Sequence, residues 1–86
     1  MSTEQTTSLC WEQYISSDPR ILDGKPAITG TRIGVEFVLE NLAGGHSVEE
    51  LVAEFSHVSK DQLLACVAYA LEILREQEFL APASSR

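Results

Sequence analysis

The strongest constraint on the fold of this chain is a pair of helix-start signatures in its second half, because each one sets where a helix begins and how long the preceding helix can be. Ser47 followed by Glu50, and Ser59 followed by Gln62, both have the form of a capping box. In such a box the hydroxyl and the longer side chain reciprocally satisfy backbone N–H groups that the first turn leaves unpaired. Between the boxes, Val48, Leu51, Val52 and Phe55 repeat at helical spacing over only two turns. After the second box, Leu63, Val67, Ala70, Leu71 and Leu74 form the longest apolar stripe, which predicts a helix from about Lys60 towards Phe79. Ahead of them Val35, Val38, Leu39 and Leu42 fall at i, i+3, i+4 and i+7, and Gly44-Gly45 supplies a C-terminal stop. Two brief helices and a long one, joined by short connections, make a tri-helical arrangement containing a helix-turn-helix.

Upstream of Val35 the pattern is different. The segment from Trp11 to Ile33 holds all but one of the prolines, and its turn clusters Ser17-Asp18-Pro19 and Asp23-Gly24-Lys25-Pro26 flank β-branched and aromatic residues. A β-hairpin is expected, with Tyr14 to Ser16 as one strand and Thr31 to Ile33 as its partner. Residues 1–10 read as a flexible arm, 11–80 as the single folded domain and 81–86 as a flexible tail. The fold class is therefore mainly α, with a short N-terminal β-hairpin ahead of three helices.

Composition narrows the function. At 86 residues the chain is one domain and buries only about 60% of its unfolded surface. Thirteen acidic residues against six basic ones give a net charge of -7, which opposes non-specific attraction to phosphate backbones or anionic lipid and fits a basic partner protein better. The apolar runs are too short for a membrane span and the first dozen residues are polar, so a cytoplasmic location is expected. Cys10 and Cys66 read as reduced thiols, and His46 and His57 as loop residues around which no zinc ligand set assembles. A phosphate-binding loop at Gly24-Lys25 is excluded, because Pro19 and Pro26 occupy positions that need glycine and a hydroxyl. Glu49, Glu50 and Glu54 suit a helix N-terminus and a water-facing side better than catalysis. A non-catalytic protein without cofactor or metal is expected.

The most informative stretch is Leu22-Asp-Gly-Lys-Pro-Ala-Ile-Thr-Gly-Thr-Arg-Ile33, continued by Val35, Gly45, Ser47, Glu49-Glu50-Leu51 and Ala68-Tyr69-Ala70. It resembles a bacterial domain-of-unknown-function family, number four-hundred-thirty-three, across roughly Tyr14 to Leu74. The resemblance implies a β-hairpin followed by a homeodomain-like helix-turn-helix, and a role as antitoxin beside a PIN-like ribonuclease toxin. Two departures are visible: Asp23 stands where a cysteine or similar residue is frequent, and His57-Val58 replaces a proline-containing turn. The signature residues Gly24, Lys25, Pro26, Gly30, Thr31 and Arg32 also have physical readings. Gly24 and Gly30 permit positive φ, and Pro26 sets the exit of its turn. Lys25 and Arg32 place two cations on one hairpin, where Arg32 is suited to grip a carboxylate or phosphate, or equally to pair within the chain with Glu36 or Asp23.

The leading expectation is a non-catalytic antitoxin module that captures a basic PIN-like toxin through Trp11, Lys25 and Arg32. The alternative is a DNA-binding autoregulator whose third helix reads bases with Lys60 and Gln62, although Asp61 beside them repels phosphate. A third reading is an orphan dimeric scaffold. A homodimer through the hairpin edge at Arg32 is expected, since a lone two-stranded ribbon leaves unpaired backbone groups.

Overall fold

The computed structural model describes residues 10–77. All of the expected arm except Cys10, the whole expected tail and any continuation of the third helix to Phe79 lie outside that range. A single 3-10 turn at Trp11–Gln13 leads into β1 (Ile15–Ser16), a second 3-10 turn at Leu22–Gly24 precedes β2 (Ala27–Ile28), and three helices follow. These are α1 (Val35–Ala43), α2 (Val48–Glu54) and α3 (Lys60–Glu76).

The helix starts follow the cap chemistry. At α2 the Ser47 N–H donates to Glu50 Oε1 at 2.8 Å and the Glu50 N–H donates to Ser47 Oγ at 3.0 Å. Ser59 and Gln62 repeat both bonds at α3, at 2.7 and 3.2 Å. The Gly44-Gly45 stop also holds: Gly45 takes φ +107, and the His46 N–H returns to the Asn41 carbonyl at 3.0 Å.

The hairpin differs from expectation in its second strand. β1 pairs antiparallel with β2, Ile15 opposite Ile28 and Ser16 opposite Ala27, so Thr31 to Ile33 is not the partner strand. Thr31 supplies the reason. Gly30, at φ +84, turns the chain; the Thr31 hydroxyl then donates to the Ile28 carbonyl at 2.8 Å and accepts the Ile33 N–H at 3.0 Å, so a side chain stands in for a ladder. The segment returns along the far edge of β2, where the Ile28 N–H donates to the Ile33 carbonyl at 2.9 Å and Gly34 bridges Ala27. Arg32 therefore sits in a bend, and the β2 edge beside it is already paired.

The core gathers Ile15 and Ile28 from the hairpin, Val35 and Val38 from α1, Leu51 from α2, and Leu63, Ala65 and Cys66 from α3. The α3 members correct the expected stripe: Leu63 is buried, but Val67 and Leu71 are each 40% exposed and Leu74 is 66% exposed. The inward face instead runs through the small residues Ala65 and Cys66, both fully buried, which let neighbouring elements approach the helix axis closely. α3 packs against α1, α2, β1 and the first 3-10 turn together. Among the described residues no helix is long and apolar enough to cross a membrane.

Candidate functional site

α3 has 17 residues and α1 only 9, so at about 1.5 Å per residue α3 outruns its neighbour by roughly 12 Å. Its C-terminal half keeps an apolar face towards space that α1 and the Leu22–Pro26 loop flank without filling. The result is an open groove of about 870 Å³. Val35, Leu39, Tyr69 and Ala70 are its more buried lining, and Leu22, Phe37, Ile73 and Leu74 stand exposed around it. Lys25, Arg32, Glu36 and Glu40 add two charges of each sign.

Local backbone chemistry builds this lining. Leu22, Asp23 and Gly24 take φ values of +52, +57 and +85, three consecutive left-handed residues of which only the glycine is free of steric cost. The turn is closed by the Lys25 N–H donating to the Leu22 carbonyl at 3.0 Å, and it directs Leu22 into the groove. Gly34 makes room there: a Cβ at that position would lie 3.1 Å from Leu22 Cδ1. Phe37 packs edge-on against Phe55 with ring centroids 5.8 Å apart, which steadies one wall.

The charges at the groove are only loosely held. Lys25 Nζ stands 4.0 Å from Glu36 Oε1 with both side chains mostly exposed, a contact of little energetic weight. Arg32 has no ion pair among the described residues, so neither Glu36 nor Asp23 takes the role open to it in the sequence. Arg32 is exposed and lines the same apolar groove. Elsewhere, Arg20 grips Asp18 through two bonds of 3.0 and 3.1 Å, which hold the Asp18 carboxyl below its usual value and raise the Arg20 guanidinium. Burial pushes the Cys66 thiol up to about 11. Among the described residues no three His, Cys, Asp or Glu side chains gather closely enough to hold a metal ion.

The structure unites two of the three residues singled out for partner binding. Lys25 and Arg32 line the same groove, and Gly24, Pro26, Gly30 and Thr31 build the turns that place them. Trp11 lies behind it. Its indole N–H donates to Glu72 Oε1 at 2.8 Å and its ring meets Tyr69 edge-on at 4.8 Å, so it buttresses a lining residue. Lys60 and Gln62 stand apart in the first turn of α3, where Gln62 Oε1 is occupied by the cap. Sequence reasoning missed Leu22, Phe37, Tyr69 and Ile73 as a set. Phe37 did carry a signal, because it is an aromatic residue off the Val35, Val38, Leu39, Leu42 stripe.

The profile of the family described as "Protein of unknown function (DUF433)" matches residues 15–70, from β1 to the middle of α3. The chain is also similar to "Uncharacterized protein y4eO" of Sinorhizobium fredii (strain NBRC 101917 / NGR234), at 33% identity over 58 residues, which are 67% of this chain and 26% of that protein. The chain thus spans about a quarter of the relative's length. No solved structure matches. The hairpin turns, Lys25, Arg32 and most of the groove lie within the matched stretch, and the chain belongs to the DUF433 family.

Proposed function

We propose that this protein is a non-catalytic binding module of antitoxin type that neutralises a basic PIN-like ribonuclease by holding an amphipathic segment of it in the groove between α1 and α3. The observation that carries the reading is the groove itself. An apolar surface with exposed Phe37, Ile73 and Leu74, bordered by Arg32, which has no ion pair among the described residues, and by Glu36 and Glu40, is what a partner helix with one apolar face and flanking charges requires. A net charge of -7 supplies the long-range attraction to a basic partner. Phe37 and Arg32 are the side-chain types that dominate such interfaces or position them.

The competing reading, an autoregulator that reads DNA with α3, has the α2-turn-α3 geometry in its favour. The outward face of α3 weighs against it: beyond Lys60 and Asp61 that face carries Leu64, Val67, Ala68 and Leu71, none of which pairs with a base edge. The test captures partners from the host with this chain as bait. It then follows RNA cleavage by the basic PIN-like ribonuclease that the reading expects among them, with increasing binding module; capture of no such ribonuclease would itself sink the reading. Wild type is expected to suppress cleavage, and Phe37→Ser and Arg32→Glu to need at least about tenfold more protein. Suppression by both variants at wild-type concentration, or no suppression by wild type, would sink the reading.

A further inference from the structure

Periodicity assigns more apolar residues to α3 than the core accepts. Leu64, Val67, Leu71 and Leu74 follow one another at spacings of three, four and three residues, the repeat of a coiled-coil seam. The structure leaves this line outside: Leu64 is half-buried, and Val67, Leu71 and Leu74 are 40%, 40% and 66% exposed. One edge of the line carries Asp61, Ala68 and Arg75, each two turns beyond the last, and the other edge turns into the core. Leu71, Leu74 and Arg75 lie beyond the stretch matched by the family profile, and Asp61, Leu64, Val67 and Ala68 lie within it.

We infer that the seam is covered by a second copy of this chain, with the two α3 helices antiparallel about a two-fold axis. Either direction would bury the line, and the charges on its edge choose the antiparallel one. With the axis beside the middle of the helix, Leu64 of one copy faces Leu74 of the other, and Val67 faces Leu71, so four mixed layers form. Ala68 meets its own symmetry mate on the edge and lets the helices come close. On the same edge Asp61 falls opposite Arg75 of the second copy, and the axis makes that contact twice. Neither Asp61 nor Arg75 has an ion pair among the described residues, so nothing must be broken to form these two. A parallel pair would put the two copies of this edge on opposite sides of the seam, with Arg75 facing the Ala70 side of the second copy, so neither Asp61 nor Arg75 would meet an opposite charge.

The seam is short, about 15 Å of helix at 1.5 Å per residue, which puts the interface at the small end of specific contacts and makes the dimer a concentration-dependent one. The seam shares Leu74 with the groove, but Phe37 and Arg32 do not lie on it, so the two readings can be tested apart.

Sedimentation velocity on the full chain at about 0.15 M salt, where long-range repulsion between the acidic copies is largely screened, tests it. The weight-average mass of wild type is expected to rise with concentration from 9.5 kDa towards twice that value. Leu71→Glu, at an exposed position that the fold does not need, is expected to remain monomeric throughout. Arg75→Glu should weaken the dimer several-fold, and adding Asp61→Arg should return it to within about twofold of wild type, since the double exchange restores opposite charges across the axis. Far-UV circular dichroism confirms that each variant is folded. A wild type that stays monomeric at several hundred micromolar, a dimer indifferent to Leu71→Glu, or a double exchange that does not recover would each overturn the proposal.

Discussion

Leu63 and Val67 stand one turn apart on α3 and belong to the same sequence stripe, yet the structure predicts very different responses to truncation. Leu63 is 1% exposed and touches the core on every side; Val67 is 40% exposed. Leu63→Ala removes three carbon atoms from a closed site. At about 0.8 kcal/mol per buried methylene-sized group that is roughly 2.4 kcal/mol, and incomplete collapse of the cavity raises the cost to about 3 kcal/mol or somewhat more. Val67→Ala removes two carbon atoms from a largely hydrated site and should cost under about 1 kcal/mol, part of it offset by the better helix propensity of alanine. A domain of this size has a total stability of only about 4–10 kcal/mol, so the first variant loses a large share of it and the second very little. Urea unfolding followed by circular dichroism at about 2 µM, low enough to suppress any dimer contribution, measures both. Thermal midpoints should fall by more than about 12 °C for Leu63→Ala and by less than about 6 °C for Val67→Ala. Equal losses would mean that α3 is rotated from the orientation described, and the exposed seam would go with it.

Cys10 is exposed and Cys66 buried, so a chromogenic disulfide reagent at pH 8 should consume one thiol quickly and the second only on unfolding. Because burial raises the Cys66 thiol from an ordinary value near 9 to about 11, the unfolded chain releases its proton first, and stability should decline as pH climbs through that window while remaining unaffected by this group below it. Ser47→Ala and Ser59→Ala each remove one cap hydroxyl and should each cost about 1 kcal/mol in the same urea assay; no loss at either site would contradict the cap geometry. Free protein should not retard random duplex DNA at physiological salt, and salt-sensitive sub-micromolar binding would instead promote the autoregulator reading.

Helix starts were legible because cap chemistry is local: a serine hydroxyl and a carboxylate or amide three residues on are enough, whatever packs around them. The positive φ at Gly24 and Gly30 was legible for the same reason. The second strand was not, because Ala27–Ile28 is only two residues long and buried on both faces, leaving no alternation to read. Thr31 drew attention as a β-branched residue, and its hydroxyl instead closes the turn. The groove was half legible. Lys25 and Arg32 stood out as cations without a core role, but their neighbours Tyr69 and Ile73 come from the far end of the chain, and only tertiary packing brings them there.

Leu74 links the two exposed surfaces, and its behaviour separates a coincidence of apolar residues from a working arrangement. Single exposed apolar side chains are ordinary in a small domain, where too little polar surface exists to cover the exterior. Here they are contiguous: Leu22, Phe37, Ile73 and Leu74 border the groove, and Leu74 continues into the seam through Leu71 and Val67. If a partner segment fills the groove and a second copy covers the seam, Leu74 touches both, and its truncation must weaken both. Leu74→Ser should therefore reduce nuclease suppression and dimer formation together, by several-fold each, with little loss of stability since the residue is 66% exposed. Phe37→Ser should affect suppression alone, and Leu71→Glu should abolish the dimer while leaving groove occupancy at low concentration intact. Measuring all three variants for suppression and for sedimentation gives six outcomes. If Leu74→Ser changes neither property, the contiguous patch has no binding role; if it changes only one, the groove and the seam do not meet at Leu74 as described.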